Sequence, residues 1–400
     1  MKKALRIGLG ALASLVFALL AFIAITYVVW NKTYSPALPV MQRATSPEAL
    51  ARGERLFRGI CAECHVDDSG RARGKPLTDF PAFIGDFHTA NLTSDFAAGV
   101  GAWTDPELAR LIRTSIDKDG RARAMPSTGH IGDADVAAII GFMRSGDPLF
   151  APVADRAPPT RLTVVGTVVF TWMLGVRSDA PVRIVVPPAA VSVAYGKYAA
   201  QIYDCGMCHT AGIGGTKEEG KGGYAGGFEF EDSLDRTVVS PNITFDETGL
   251  GAGSWSAQEF VAAVRNGVTG NGRILRPPMP RFRYADDTEL AAVFEFLKTV
   301  PRVHRPREKG TLPEAHGSAS ANPEALWMQL GCPACHGEGA PFRDKLKQSL
   351  GKPTADVASW IRDPQAKKPG TQMPTFRDVL DEPRSLTLAA WVQSRAAAMK

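Results

Sequence analysis

Six cysteines stand in three pairs, and a histidine follows each pair at once: Cys61-Ala62-Glu63-Cys64-His65, Cys205-Gly206-Met207-Cys208-His209 and Cys332-Pro333-Ala334-Cys335-His336. A Cys-x-x-Cys-His run puts two thiols on one short turn. There they can add across the two vinyl groups of a haem edge, while the next imidazole points at the iron. The other uses of paired cysteines fit less well. A four-cysteine zinc site takes pairs of pairs, so three pairs would strand one. A redox dithiol sits in a βαβ setting, which none of the three has. The expectation is three covalently bound haem c groups, with His65, His209 and His336 as iron ligands.

A six-coordinate iron needs a second ligand, and each pair is followed downstream by a Met-Pro step: Ala124-Met125-Pro126, Pro278-Met279-Pro280 and Gln372-Met373-Pro374. A proline keeps the residue before it out of helical geometry, so each methionine is presented from an extended loop. Met125, Met279 and Met373 are therefore the expected distal ligands. Met143, Met328 and Met399 lie on helical patterns or at the chain end and read as core filler. His88 and His130 compete for the first iron and His304 for the second. No histidine follows His336.

Helices must hold these runs. Residues 47–60, with Ser46 as N-cap, 194–203, and 323–330, capped by Asn322, lead into the three cysteine pairs. Residues 133–144, 286–299 and 385–397 close the three groups. This predicts an all-α chain of three cytochrome c domains in tandem after one N-terminal transmembrane helix. The boundaries are 1–31 for the anchor, 45–147 for domain 1, 148–190 for a linker, 191–303 for domain 2, 304–321 for a second linker, and 322–400 for domain 3. Domains 1 and 2 repeat one pattern: Asn91-Leu92-Thr93 through Trp103-Thr104 corresponds to Asn242-Ile243-Thr244 through Trp255-Ser256. Recurrence at one position of a repeat makes the Asn-x-Thr triplets turns rather than glycan acceptors. Trp103 and Trp255 could touch a haem or pack in a core. Gly222 to Gly227 lacks the ending of a phosphate loop and reads as a flexible haem-side loop.

From Ile7 to Asn31 no residue is charged, and Lys2, Lys3 and Arg6 precede the run. That length spans a bilayer, and Tyr27 to Trp30 stand where a cleavage site would want small residues. The expectation is an uncleaved single-pass anchor in the cytoplasmic membrane, with the haem domains on the periplasmic side. The apolar stretch Leu162 to Val176 is short for a span; a core, a membrane surface or a span are all open to it. The net charge of +5 is mild and no basic stripe appears, which argues against nucleic acid.

Ser240-Pro241-Asn242-Ile243-Thr244, the turn to Trp255, Pro278-Met279-Pro280 and the linker Pro158 to Thr163 resemble the cytochrome c subunit of membrane-bound alcohol, gluconate and aldehyde dehydrogenases, over roughly residues 45–303. That resemblance implies three haems that take electrons from a dehydrogenase subunit and pass them to ubiquinone or a terminal oxidase. In the third domain, Trp360 to Gln365 and Lys368 to Pro374 look more like the haem domain of oxidase subunits. With every iron ligated on both sides, no catalytic residue is expected, and the chain reads as a non-catalytic electron-transfer subunit. The alternatives are a multihaem peroxidase, which would need an open iron, and a cytochrome module of a terminal oxidase.

Overall fold

The computed structural model describes residues 2–399 except 68, 78–81, 126–127, 174–182, 213–222, 232–236, 254, 268, 270–274, 276–278, 307–321, 339, 341, 369–370, 372 and 378–379. Several features named above fall on the omitted residues: Pro126, Pro278, Gln372, Gly222, Leu174 to Val176 and most of the 304–321 linker. The described chain is predominantly helical, with two two-stranded ribbons among the described residues. It divides into two compact units, Met1–Val186 and Pro187–Lys400.

In the first unit, α1 (Lys2–Asn31) is the one helix among the described residues long and apolar enough to cross a membrane. α2 (Pro47–Leu56) starts where Ser46 accepts the Ala49 N–H and proline takes the first turn. It widens into a single π turn, Phe57–Cys61, and continues as α3 (Ala62–His65). β1 (Gly85–Asp86) pairs antiparallel with β2 (Arg161–Leu162). Between them, α4 (Asp105–Thr114) opens on a Thr104/Glu107 capping box, and α5 (Asp133–Met143) returns across α2. After β2 comes α6 (Val164–Val168), which runs on as a π turn, Val169–Met173.

The second unit repeats the scheme. α7 (Val193–Ile202), capped by Ser192, leads to α8 (Cys205–Cys208). The ribbon of β3 (Glu229–Glu231) and β4 (Thr237–Val239) follows, then α9 (Ala257–Asn266) behind a Ser256/Glu259 capping box. α10 (Asp287–Leu297), behind an Asp286/Glu289 box, crosses α7. A third group follows: α11 (Pro323–Gln329), capped by Asn322, α12 (Pro333–His336), α13 (Thr354–Arg362), α14 (Pro364–Lys367) and α15 (Glu382–Ala398). Its core joins Leu326, Trp327, Leu330, Ile361, Leu388 and Val392. Helix ends differ from the sequence reading by one to a few residues, as frayed ends do. Met143 is buried as core filler, whereas Met328 is 60% exposed on α11 and fills no core.

The two long crossings are built alike. A Cβ at Gly53 would overlap the backbone of Ala138 on α5, and one at Gly196 would overlap Ala292 on α10. Glycine lets each helix pair touch backbone to backbone. A polar lock sits beside each crossing. Arg52 forms a forked pair with Asp135, at 3.0 and 2.9 Å. The buried Glu289 accepts the Tyr203 hydroxyl at 2.9 Å. Gly53→Ala and Gly196→Ala should each cost about 1–3 kcal/mol, the usual penalty of overpacking. Denaturant titration reads this as a lower midpoint at unchanged slope, and an unchanged midpoint would refute the close crossing.

Candidate haem sites

In all three runs the histidine ring is held the same way. His65 Nδ1 lies 3.0 Å from the Ala90 carbonyl, His209 Nδ1 2.9 Å from Pro241, and His336 Nδ1 2.9 Å from Phe342. A carbonyl can only accept, so each Nδ1 carries the proton and each Nε2 keeps its lone pair. Burial draws all three imidazoles below the usual histidine range, more than the carbonyl bond raises them. Each is therefore the neutral form that can ligate a metal, with its tautomer fixed by an outer partner.

The accepting carbonyls are themselves clamped. Asn91, next to Ala90, donates to the Val153 and Asp155 carbonyls, and its Oδ1 accepts from the Thr93 N–H and hydroxyl. Asn242, next to Pro241, donates to Thr248 and the Val303 carbonyl, and its Oδ1 accepts from Thr244 in the same two ways. The asparagine and threonine of both triplets are buried, and the asparagine amides are occupied within the fold, so the triplets act as turns. The peptide N–H groups of Gly74 and Gly226 bond the His65 and His209 carbonyls from the other side. Gly226 is left-handed, and a Cβ there would strike the backbone of residues 240–242. The part of the glycine-rich loop that is described is thus a fitted support for His209. In the third group the accepting carbonyl comes from only six residues downstream, and Trp327 and Phe342 flank the His336 ring at 6.3 and 6.5 Å.

All six cysteines are half-buried. Burial pushes the Cys61 and Cys205 thiols up to about 12 and Cys208 to about 11. A redox dithiol has its nucleophilic thiol lowered, not raised. In the first two runs, thiols pushed up by burial stand one turn from a neutral, oriented imidazole, which suits thioether attachment of a haem, so the donor set fits the group.

Met125, Met279 and Met373 are half-buried on the loops between α4 and α5, α9 and α10, and α14 and α15. Ser115 Oγ donates to the Met125 carbonyl at 2.6 Å, and Arg281 donates to the Met279 carbonyl at 3.1 Å. Met373 packs on the same core as Cys332, which brings the third run and its methionine onto one surface. The competing histidines face acids: His88 lies 3.6 Å from Asp86, and the exposed His304 3.3 Å from Asp246. His130 is half-buried in the loop before α5. Trp103 is half-buried and lines a cleft of about 400 Å³ with Arg43, Asp105 and Arg144, rather than a core; Trp255 is half-buried before α9. In the second unit, Arg283 donates to Asp363 at 3.2 Å and to the Thr375 hydroxyl, and Arg377 reaches the same carboxylate at 3.3 Å. This cluster ties the segment after Met279 to the segment after Met373.

Sequence reasoning finds the Asn-x-Thr turns but not their purpose, and it misses Gly74, Arg283 and Asp363. The repeat itself carries a signal for the first: the residue before each asparagine stands at one position in both copies. Asn91→Ala and Asn242→Ala should each destabilise by about 1–3 kcal/mol, because buried partners lose their bonds. Thermal or denaturant unfolding checks this, and a neutral effect at both would mean that the turns stand without the amides.

Residues 48–143 match the family "Cytochrome C oxidase, cbb3-type, subunit III". The oxidase-type match thus falls on the first group, whereas the sequence motifs point to the third. The chain is 24% identical over 423 residues to a nicotinate dehydrogenase subunit of Pseudomonas putida, covering 98% of this chain and 34% of that protein. It is 24% identical over 280 residues to the cytochrome c subunit of the alcohol dehydrogenase (quinone) of Gluconobacter oxydans, covering 65% of this chain and 56% of that protein. Over 106 residues it is 37% identical to the gluconate 2-dehydrogenase cytochrome c subunit of Pantoea cypripedii, covering 26% and 22%. The chain therefore spans only about a third to just over half of the length of the first two relatives. These likenesses imply covalently bound haem c, and they relate the chain to the cytochrome c subunits of alcohol and gluconate dehydrogenases.

Proposed function

We propose that the chain is a three-haem c-type cytochrome that carries electrons from a dehydrogenase subunit to ubiquinone or a terminal oxidase. The observation that supports it most is the threefold Nδ1–H···O=C bond, which leaves an Nε2 lone pair on each of the three Cys-x-x-Cys-His runs. When bound, haem supplies a one-electron couple between ferrous and ferric iron. Cys61 and Cys64, Cys205 and Cys208, and Cys332 and Cys335 tether the three groups. His65, His209 and His336 would each supply one iron ligand, and Met125, Met279 and Met373 the second. The corresponding domains are 45–147, 191–303 and 322–400. Arg283 and Asp363 hold the second and third methionine loops in register. α1 anchors the chain in the cytoplasmic membrane, and the haem domains face the periplasm.

A second reading, a cytochrome module of a terminal oxidase, is favoured by the cbb3-type match over residues 48–143. Purification of the full chain in mild detergent separates the two: a dehydrogenase subunit retained with it supports the first, and a copper-containing oxidase subunit the second.

The haem count is tested by intact mass and by haem staining after denaturing electrophoresis. Three additions are expected, and each Cys-to-Ala pair should remove one. Fewer than three on the wild-type chain would sink the reading for at least one pair. Replacing Met125, Met279 or Met373 with histidine should lower one haem's potential by tens to hundreds of millivolts within the roughly 0.8 V that axial ligands span. Imidazole donates more strongly than thioether and favours ferric iron. A wild-type haem that binds carbon monoxide rapidly would instead indicate an open iron and favour a peroxidase.

A further inference from the structure

The stretch after β2 packs on the outer third of α1. Its Trp172 Nε1 donates to Thr26 Oγ1 at 2.9 Å, and the Trp172 ring stacks on Phe22 at 6.2 Å. Two residues earlier, Phe170 meets Trp30 at 6.3 Å. The chain therefore descends along α1 from Thr163 towards Trp172, moving away from Asn31. At its upper end, Thr163 and Gly166 close on Ile84, and Phe170 packs on Phe87 at 5.7 Å, so the stretch is joined to the first haem group.

Where water begins is set by the neighbouring loop. Arg121 donates to the Asn31 carbonyl at 3.0 Å, and the Tyr34 N–H donates to Gly120 at 2.9 Å. This loop also carries Asp117, and Lys118 pairs with Asp119 on its exposed side. Such a charged turn cannot enter hydrocarbon, so Asn31 lies at the polar surface. At a rise of 1.5 Å per residue, Thr26 is about 8 Å and Phe22 about 14 Å below it. The headgroup layer on one side is roughly 5–8 Å thick. Trp172 therefore stands at or below the base of the headgroups.

The stretch is chemically suited to that depth. No residue from Leu162 to Met173 is charged. Its hydroxyls are paired internally, with Thr167 donating to the Thr163 carbonyl at 2.8 Å and Thr171 to the Thr167 carbonyl at 2.6 Å. Thr26, buried within an apolar helix, donates to Phe22 and accepts from Trp172. Val164, Val165 and Trp172 remain 44–49% exposed on a surface that water would penalise.

We propose that the Trp172 end of Val164–Met173 dips into the outer leaflet alongside α1 and takes lipid acyl chains as its partner, forming a second, shallow membrane contact. This rests on α1 spanning the bilayer. The full chain in phosphatidylcholine vesicles would be treated with a carbene-generating photolabel that partitions into hydrocarbon, and its tryptic peptides mapped. Peptides of α1 and the peptide 162–177 should be labelled at least tenfold above the mean of the others. Trp172→Glu should cut the label on 162–177 at least fivefold while α1 remains labelled. Label confined to α1, or unchanged by Trp172→Glu, overturns the proposal while α1 remains the anchor. Label on neither overturns the anchoring reading as well.

Discussion

An imidazole can offer one nitrogen to a metal only when the other is committed elsewhere. Left free, the ring rotates, exchanges tautomers, and binds a proton near neutral pH. The bond from Nδ1 to a backbone carbonyl fixes rotation and tautomer while burial keeps the ring neutral, and much of the architecture serves to keep that carbonyl still. In the first two groups it belongs to the residue before a buried asparagine, whose amide is spent on distant backbone carbonyls. A glycine N–H holds the histidine's own carbonyl from the opposite side.

The repeated groups show which parts of this arrangement can vary. The crossing of α2 on α5 and of α7 on α10 uses glycine in both, because only a missing Cβ allows backbones so close. The lock beside the crossing differs: an arginine–aspartate fork in one, a tyrosine–glutamate bond in the other. Either satisfies a buried carboxylate, so the chemistry of the lock is exchangeable while the spacing is not. The third group lacks the long Asn-x-Thr insertion and takes its carbonyl from a local turn, with aromatic rings around the imidazole instead.

The first unit adds a constraint of a different kind. A polar threonine in an apolar helix needs a partner that does not bring water with it. Trp172 supplies one with a ring that is itself apolar over most of its surface. The linker stretch that does this also contacts the loop at residues 84–87, so helix α1 and the first Cys-x-x-Cys-His group are joined by packed side chains as well as by the chain itself.

Local chemistry was legible from the residues alone. Cys-x-x-Cys-His confines its atoms to one turn, Ser46 and Asn322 cap the helices they precede, and the Asn-x-Thr turn bonds within three residues. These depend on neighbours in the chain, so residue type and spacing suffice to read them. The partners decided by tertiary structure are far apart in sequence: His65 with Ala90, Gly53 with Ala138, Arg283 with Asp363, Thr26 with Trp172. No spacing rule links such pairs, because only the packing of helices brings them together. The apolar run at 162–176 shows the limit most plainly. Its composition left a core, a surface or a span open, and only the tertiary structure pairs its Trp172 with Thr26, on a helix 146 residues earlier.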